Sequence, residues 1–410
     1  KNFLIKKDLI YDMIIKRKMG MKKVFSKLDK TLLLMIIAFF IFGLVMVLSA
    51  SSMESYMRYG YGPYHYFYRQ ALFIGIGFFL FLIIIHIPTK AYRGITYLFM
   101  IGIIAVLGAL NIYGHVANSA QSWFKVGGLS IQPSEFAKVI IILFLAAYYE
   151  RKKEDLDNFK ILIWPLILVV IIFLLVATQP DLGTALIIGG ITFLIFMSLP
   201  IPRKLSKKIS LGLVGITIIG ACVLFVGSKY FLKSYQLERF NFKDPCLRYQ
   251  DDSGYQLCNS FIAFKNGGVT GQGIGKSTQK YLYLPESYTD FIFPIIVEEW
   301  GAIVGVIIVF CYLFIIYRLY RIARRAVNLQ GSILAYGVCA YLFLHVSINF
   351  IGVMGIGPLT GVPLPFLSYG GSYVISLFTA LGIAERVAVE SANYKERENK
   401  KKAKKRKSGN

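Results

Sequence analysis

Apolar runs of about twenty residues, separated by short charged or Gly/Pro-rich breaks, recur along most of this chain. A helix needs roughly 20 apolar residues to cross a hydrocarbon core about 30 Å thick. Ten stretches approach that length, at about 32–50, 71–87, 95–113, 136–149, 161–177, 184–199, 209–227, 291–319, 332–354 and 372–389. The fourth is short and could begin earlier. The fifth and sixth are parted only by TQPDLG, which leaves room for nothing but a tight turn. The pattern therefore predicts an all-α, polytopic membrane protein with ten transmembrane helices.

Composition agrees: 56% of the 410 residues are hydrophobic, too many for a soluble domain. A formal charge of +24 would point to nucleic acid in a soluble protein, but its placement follows the positive-inside pattern and excludes that reading here. Ten Lys and Arg precede the first span, nine lie in the tail after residue 394, and the even-numbered loops carry most of the rest. Both termini are thus expected in the cytoplasm. The division is a basic arm at 1–30, a membrane domain at 31–390 and a basic tail at 391–410. A large extracellular loop is expected at 228–290, and the basic ends lie against anionic membrane lipid. The arm has no small-residue cleavage pattern, so no cleavable signal peptide is expected.

Ordinary connections in a bundle are short, so the loop before the eighth span is the first place to look for chemistry. Its segment GGVTGQGIGKS lacks the Walker spacing and a preceding strand, and no nucleotide cofactor is expected. Backbone amides with Lys276 and Lys280 could instead surround a lipid-linked pyrophosphate. The loop ends in LPESYTDFIF, which offers Glu286 and Asp290 where water meets membrane. Asp290 abuts the start of the eighth span, where partial desolvation favours a working base. Glu298 and Glu299 follow inside that span, roughly 12 Å deeper for a straight helix at 1.5 Å per residue.

The other outward segments are also polar. Glu135 and Lys138 lie three residues apart in the fourth span, as an intramembrane pair that is either functional or a lock between helices. Trp123 could stack on a sugar or serve as an interfacial belt residue. Cys222, Cys311 and Cys339 read as core packing. Cys246 and Cys258 share the large outer loop, as a disulfide or as two free thiols. His65, His86, His115 and His345 show no ligand spacing and read as structural.

Four blocks, QSWFKVGGLSIQPSEFAK, TQPDLGTAL, GGVTGQGIGKSTQKYLYLPESYTDFIFPIIVEEWG and GVPLPFLSYGGS, in this order and between these spans, resemble the SEDS family (shape, elongation, division, sporulation). The GIGKSTQK stretch looks more like the division member FtsW than the elongation member RodA, with SpoVE-type sporulation proteins close by. The resemblance implies a peptidoglycan glycosyltransferase that polymerises lipid II at the outer face of the bacterial cytoplasmic membrane, at the septum for a division member. It places the catalytic acid at Asp290 and a cavity-structuring pair at Glu135 and Lys138. Arg239, Lys276, Lys280, Glu286, Trp123 and Ser368 are the remaining substrate or cavity candidates. The implied partners are lipid II, a cognate class B penicillin-binding protein and other division proteins, with a divalent cation such as Mg or Mn as a candidate cofactor. The chain departs from the family at Tyr288, where His is more usual, and in the Cys246/Cys258 pair.

Two other classes stay open from the residues alone. A lipid II flippase would use Glu135, Lys138, Glu298 and Glu299 as a path and open to both sides. A non-catalytic scaffold for division proteins would need neither the outer carboxylates nor the lysines.

Overall fold

The structure is a computed structural model of the 410-residue chain. It describes residues 24–113, 115–117, 120–126, 129–179, 181–202 and 241–408, with positions 205, 207 and 211 between. The seventh predicted span and Cys222 lie outside the described residues.

The helices are α1 (Lys30–Tyr59), α2 (His65–Ile84), α3 (Tyr92–Tyr113), α4 (Pro133–Arg151), α5 (Phe159–Ala177) and α6 (Leu182–Met197). They continue as α7 (Asp252–Gly267), α8 (Ile292–Arg324), α9 (Leu329–Val353) and α10 (Gly371–Ser408). Among the described residues seven of them are long and apolar enough to cross a membrane: α1, α2, α3, α5, α8, α9 and α10. The chain is a multi-pass membrane protein. Helix α6 is apolar but shorter, and α4 is buried along nearly its whole length.

Polar residues at the helix starts do the terminating. Asp29 accepts from Leu32 N at 3.1 Å, Asp181 from Thr184 N at 3.1 Å and Asn328 from Gly331 N at 2.7 Å. Each satisfies an orphan donor of its first turn. Pro133 opens α4, where the missing N–H is no loss. The predicted hairpin is present, with α5 ending at Ala177 and α6 beginning at Leu182.

Three expectations need correction. The fold is mostly helical rather than all-α, because the second outer segment forms an antiparallel sheet of β1 (His115–Ala117), β2 (Ala120–Val126) and β3 (Leu129–Ile131). The strand AQSWFKV mixes polar and apolar residues without a clean period, and a search for apolar runs passes over it. The large outer loop is partly helical: α7 lies within it, tied by a Cys246–Cys258 disulfide to the short turn Pro245–Arg248.

The third correction concerns depth. Ser287 Oγ donates to Ala50 O at 3.3 Å, and Ser49 Oγ donates to Glu299 at 2.6 Å. Both ends of the 287–299 stretch are therefore held by adjacent residues of α1, so it does not descend straight to a level 12 Å below Asp290. Helix α8 then breaks at Gly301, whose φ is 83°. Across that break the backbone of 298–303 pairs with 268–273, including Gln272 N to Glu298 O at 2.9 Å and Ala302 N to Gly268 O at 3.0 Å.

The far end of the bundle is basic and knotted. Arg318 binds Asp29, Arg93 pairs with Glu150 at 3.2 Å, and Gln330 is held between Arg93, Glu150 and Thr89. Lys27 reaches Asn393 and Glu396 on α10.

A Cβ at Gly301 would lie 2.3 Å from Val269 O, in a backbone conformation that side chains rarely adopt. Gly301→Ala should therefore lower the thermal unfolding midpoint in detergent, by the equivalent of about 1–3 kcal/mol. Gly75→Ala, in open space on α2, should leave the midpoint unchanged or raise it.

Candidate active site

Asp290 sits half-buried where the loop after α7 meets α8. Its position is set through backbone carbonyls. Tyr369 N donates to Tyr288 O at 2.9 Å, Ser368 Oγ donates to Thr289 O, and Asn349 Nδ2 donates to Asp290 O at 2.8 Å. Three successive carbonyls are thus taken up by the loop before α10 and by α9. Asn349 also donates to Val362 O at 2.8 Å, which draws the two loops together. Gln70 of α2 closes the arrangement, donating to Ser368 O at 3.1 Å and accepting from Gly370 N at 3.2 Å.

Around the carboxylate, two contacts set its immediate surroundings among the described residues. Thr289 Oγ1 is 3.1 Å from Asp290 Oδ1 and 2.8 Å from Glu286 Oε2. On the other side, a Cβ on Gly361 would lie 3.9 Å from Asp290 Oδ2. Gly361 has φ +67°, so only glycine presents bare backbone there without strain. Glu286 (φ 55°) and Phe366 (φ 68°) are non-glycine residues in the same left-handed region, one in each loop. Such strain persists where surrounding bonds over-determine the backbone.

Between Asp290 and α2 lies an aromatic wall. Tyr66 stands 4.7 Å from Tyr288 and 5.1 Å from Tyr369, ring centre to ring centre. Burial pushes the Tyr288 phenol well above its usual range, and its hydroxyl is hydrogen-bonded to Tyr66. Tyr288 therefore stays protonated within this wall.

Glu135 and Lys138 do pair, at 2.8 Å, and both are buried. The ammonium also lies 2.9 Å from His345 Nε2 and 5.3 Å from the Tyr341 ring centre. His345, read from the sequence as an ordinary structural histidine, is thus a third member of this cluster. Its spacing from Asn349, four residues along α9, puts one helical face in charge of both the ion pair and the Asp290 carbonyl. No sequence signal linked His345 to Lys138, because they are 207 positions apart. Gln132 binds Asp181 at 2.8 Å, which joins the start of α4 to the α5–α6 turn.

The other candidates divide. Lys280 is corrected: it is buried against Glu299 at 2.9 Å, Gly275 O at 2.7 Å and Ser49 at 3.0 Å, so its charge is consumed inside the protein. Glu298 is likewise enclosed, accepting from Asn266, Ser277, Thr278 and Gln279. These two acids fasten the Gly-rich loop to α8. Lys276 is exposed. Ser368 is buried and accepts from Leu364 N at 2.8 Å, so its hydroxyl organises the loop rather than meeting a ligand. Trp123 is half-buried on β2 opposite His115, and Arg239 lies outside the described residues. Among the described residues no group of three His, Cys, Asp or Glu side chains is gathered as a cation site.

Residues 29–393 match the family model FTSW_RODA_SPOVE, cell cycle protein. The chain belongs to the FtsW/RodA/SpoVE family. It is 38% identical over 386 residues to a Bacillus subtilis (strain 168) protein named probable peptidoglycan glycosyltransferase FtsW, covering 93% of this chain and 95% of that one. It is 35% identical over 369 residues to stage V sporulation protein E of the same organism, covering 88% and 98%. Among solved structures, RodA of Thermus thermophilus matches with a TM-score of 0.63 at 24% identity, covering 88% of this chain and 96% of that one. A chain of a peptidoglycan synthase complex gives 0.69 at 24%, covering 89% and 98%. At that identity the two structures speak for the fold alone.

Within this FtsW/RodA/SpoVE chain the Glu135–Lys138 pair is sealed from solvent, so removing one partner strands a buried charge. Lys138→Met should cost about 3–5 kcal/mol, while Glu135→Gln/Lys138→Met should cost much less than the sum of the single changes. Thermal unfolding of the four proteins in detergent measures the cycle. A Lys138→Met protein that melts with the wild type would show that the pair holds nothing together.

Proposed function

We propose that this chain is a peptidoglycan glycosyltransferase that polymerises lipid II into glycan strands at the outer face of the cytoplasmic membrane, with Asp290 as general base. The observation that carries the reading is the fixing of three consecutive carbonyls, Tyr288 to Asp290, which holds a half-buried carboxylate on a rigid mount at one end of the bundle.

The chemistry needs a proton removed from the acceptor sugar 4-hydroxyl as that oxygen attacks the donor anomeric carbon. A carboxylate placed within hydrogen-bond reach does this. The pyrophosphate leaves carrying the bonding pair, and a single direct displacement inverts the anomeric centre. Charge on the leaving group calls for a cation. Lys276 is the exposed candidate on the Gly-rich loop, and Arg239 remains a second. A divalent ion, if bound, would be held by Asp290 and Glu286 and would offset the charge on the leaving pyrophosphate.

Topology and partners follow the same reading. The proposal takes the membrane domain to have ten spans, with both termini cytoplasmic. The contacts of Lys27 with Asn393 and Glu396 support it by bringing the two terminal segments to one end. The membrane domain is 31–390, flanked by a basic arm and tail. A class B penicillin-binding protein is the proposed partner, and the septum the proposed site of action, given the 38% identity to a protein named FtsW. The flippase reading is less favoured because Glu298, Glu299 and the Glu135–Lys138 pair are all enclosed by protein.

Asp290→Asn should reduce strand synthesis from lipid II in detergent by about 10²–10⁴-fold, with an unchanged melting temperature. Lys276→Met should slow it while leaving stability intact, whereas Lys280→Met should act through stability. Wild-type polymer from the Asp290→Asn protein would remove Asp290 as the base. Lipid II movement across vesicles without polymer would favour the transporter.

A further inference from the structure

Residues 56–68, the end of α1, the turn after it and the start of α2, read YMRYGYGPYHYFY: six tyrosines in thirteen residues, where the whole chain has 27 in 410. No acidic residue interrupts them; Arg58 lies among them and Arg69 follows. The apolar stretch of α1 ends near Ala50, yet the helix runs on to Tyr59, roughly 13 Å further at 1.5 Å per residue. Headgroup layers add only about 5–7 Å per leaflet. The helix thus carries the first tyrosines past the end of its own apolar run.

The loop is built, not loose. Gly60 ends α1 in a left-handed conformation, Ser55 Oγ donates to Gly62 O at 2.9 Å, and buried Glu54 pairs with Arg58 at 2.9 Å. Tyr61 stacks on His65 with ring centres 4.3 Å apart and planes 15° apart. Even so, Tyr61 and Tyr64 leave 48% and 54% of their surface open, and Tyr56 and Tyr68 each leave 67%. One tyrosine turns inward: Tyr66 packs on Tyr288, two residues from Asp290. The tyrosine segment thus packs directly against the loop that carries the candidate base.

We propose that this tyrosine loop is a binding platform for the growing glycan strand, holding sugars next to the Asp290 loop between successive additions. The inference rests on the polymerase reading. Sugar rings present C–H faces that stack on aromatic rings and hydroxyls that meet phenol oxygens, and tyrosine supplies an apolar body with a polar tip at small entropic cost. A purely hydrophobic partner would be poorly matched by rings flanked by two arginines and a histidine. The outcome is processivity: a strand held by several rings stays bound while the next donor arrives.

The test uses Tyr61→Ala/Tyr64→Ala, two exposed positions outside the Asp290 wall, with Tyr61→Phe/Tyr64→Phe as the conservative control. Uncrosslinked glycan strands made by an unrelated polymerase and labelled at one end are titrated against full-length Asp290→Asn protein in detergent, so that binding is read without turnover. Removing the rings should weaken strand binding about tenfold, and the Phe pair should retain most of it. In the otherwise wild-type protein, the Ala pair should shorten the strands while the rate of the first addition is unchanged. Equal strand binding with and without the rings, or unchanged strand length, would overturn the proposal. So would a defect confined to vesicles, which would make the loop a membrane anchor. A wild-type protein that makes no polymer sinks the polymerase reading instead, so the two failures are distinguishable.

Discussion

Everything at the candidate site depends on one constraint: backbone that leaves helical geometry inside a membrane protein must find its hydrogen bonds within the protein. Two such stretches meet here, the loop ending at Phe291 and the Pro- and Gly-rich loop before α10. Each satisfies the other. Tyr369 N, Ser368 Oγ and Asn349 Nδ2 occupy the carbonyls of residues 288–290, and Gln70 occupies groups of the second loop from outside. The placement of Asp290 is fixed through these backbone bonds, which hold the residue where the two loops meet.

Buried charge is used in two different ways around that mount. Lys280–Glu299 and the enclosed Glu298 fasten the Gly-rich loop to the broken start of α8, and Gly301 permits the break. Glu135–Lys138–His345 joins α4 to α9. Pairs of this kind add little net stability over apolar packing, but they penalise any arrangement that separates the partners. They therefore select one relative placement of the helices that carry the loops.

The opposite end of the bundle is governed by the same logic with basic residues in the majority. Asp29, Glu150, Glu385 and Glu390 each accept from groups on distant segments. These bonds tie the ends of α1, α2, α4, α8, α9 and α10 together. The end bearing Asp290 thus acts against a scaffold fixed at its far side.

What the sequence determined by itself is what depends on local pattern. Apolar runs placed most membrane helices, the TQPDLG turn placed a hairpin, and four motif blocks placed the chain in its family and singled out Asp290. The small sheet escaped because its longest strand is only seven residues, has no clean polar–apolar alternation and sits beside longer apolar runs. Tertiary structure decided what pairs with what. Lys276 and Lys280 are alike in sequence, yet one is exposed and the other is consumed by Glu299, which becomes its neighbour only when the chain breaks at Gly301. His345 reaches Lys138 across 207 positions for the same reason: a side chain's role is set by its electrostatic and steric surroundings, and those are assembled from residues far apart in the chain.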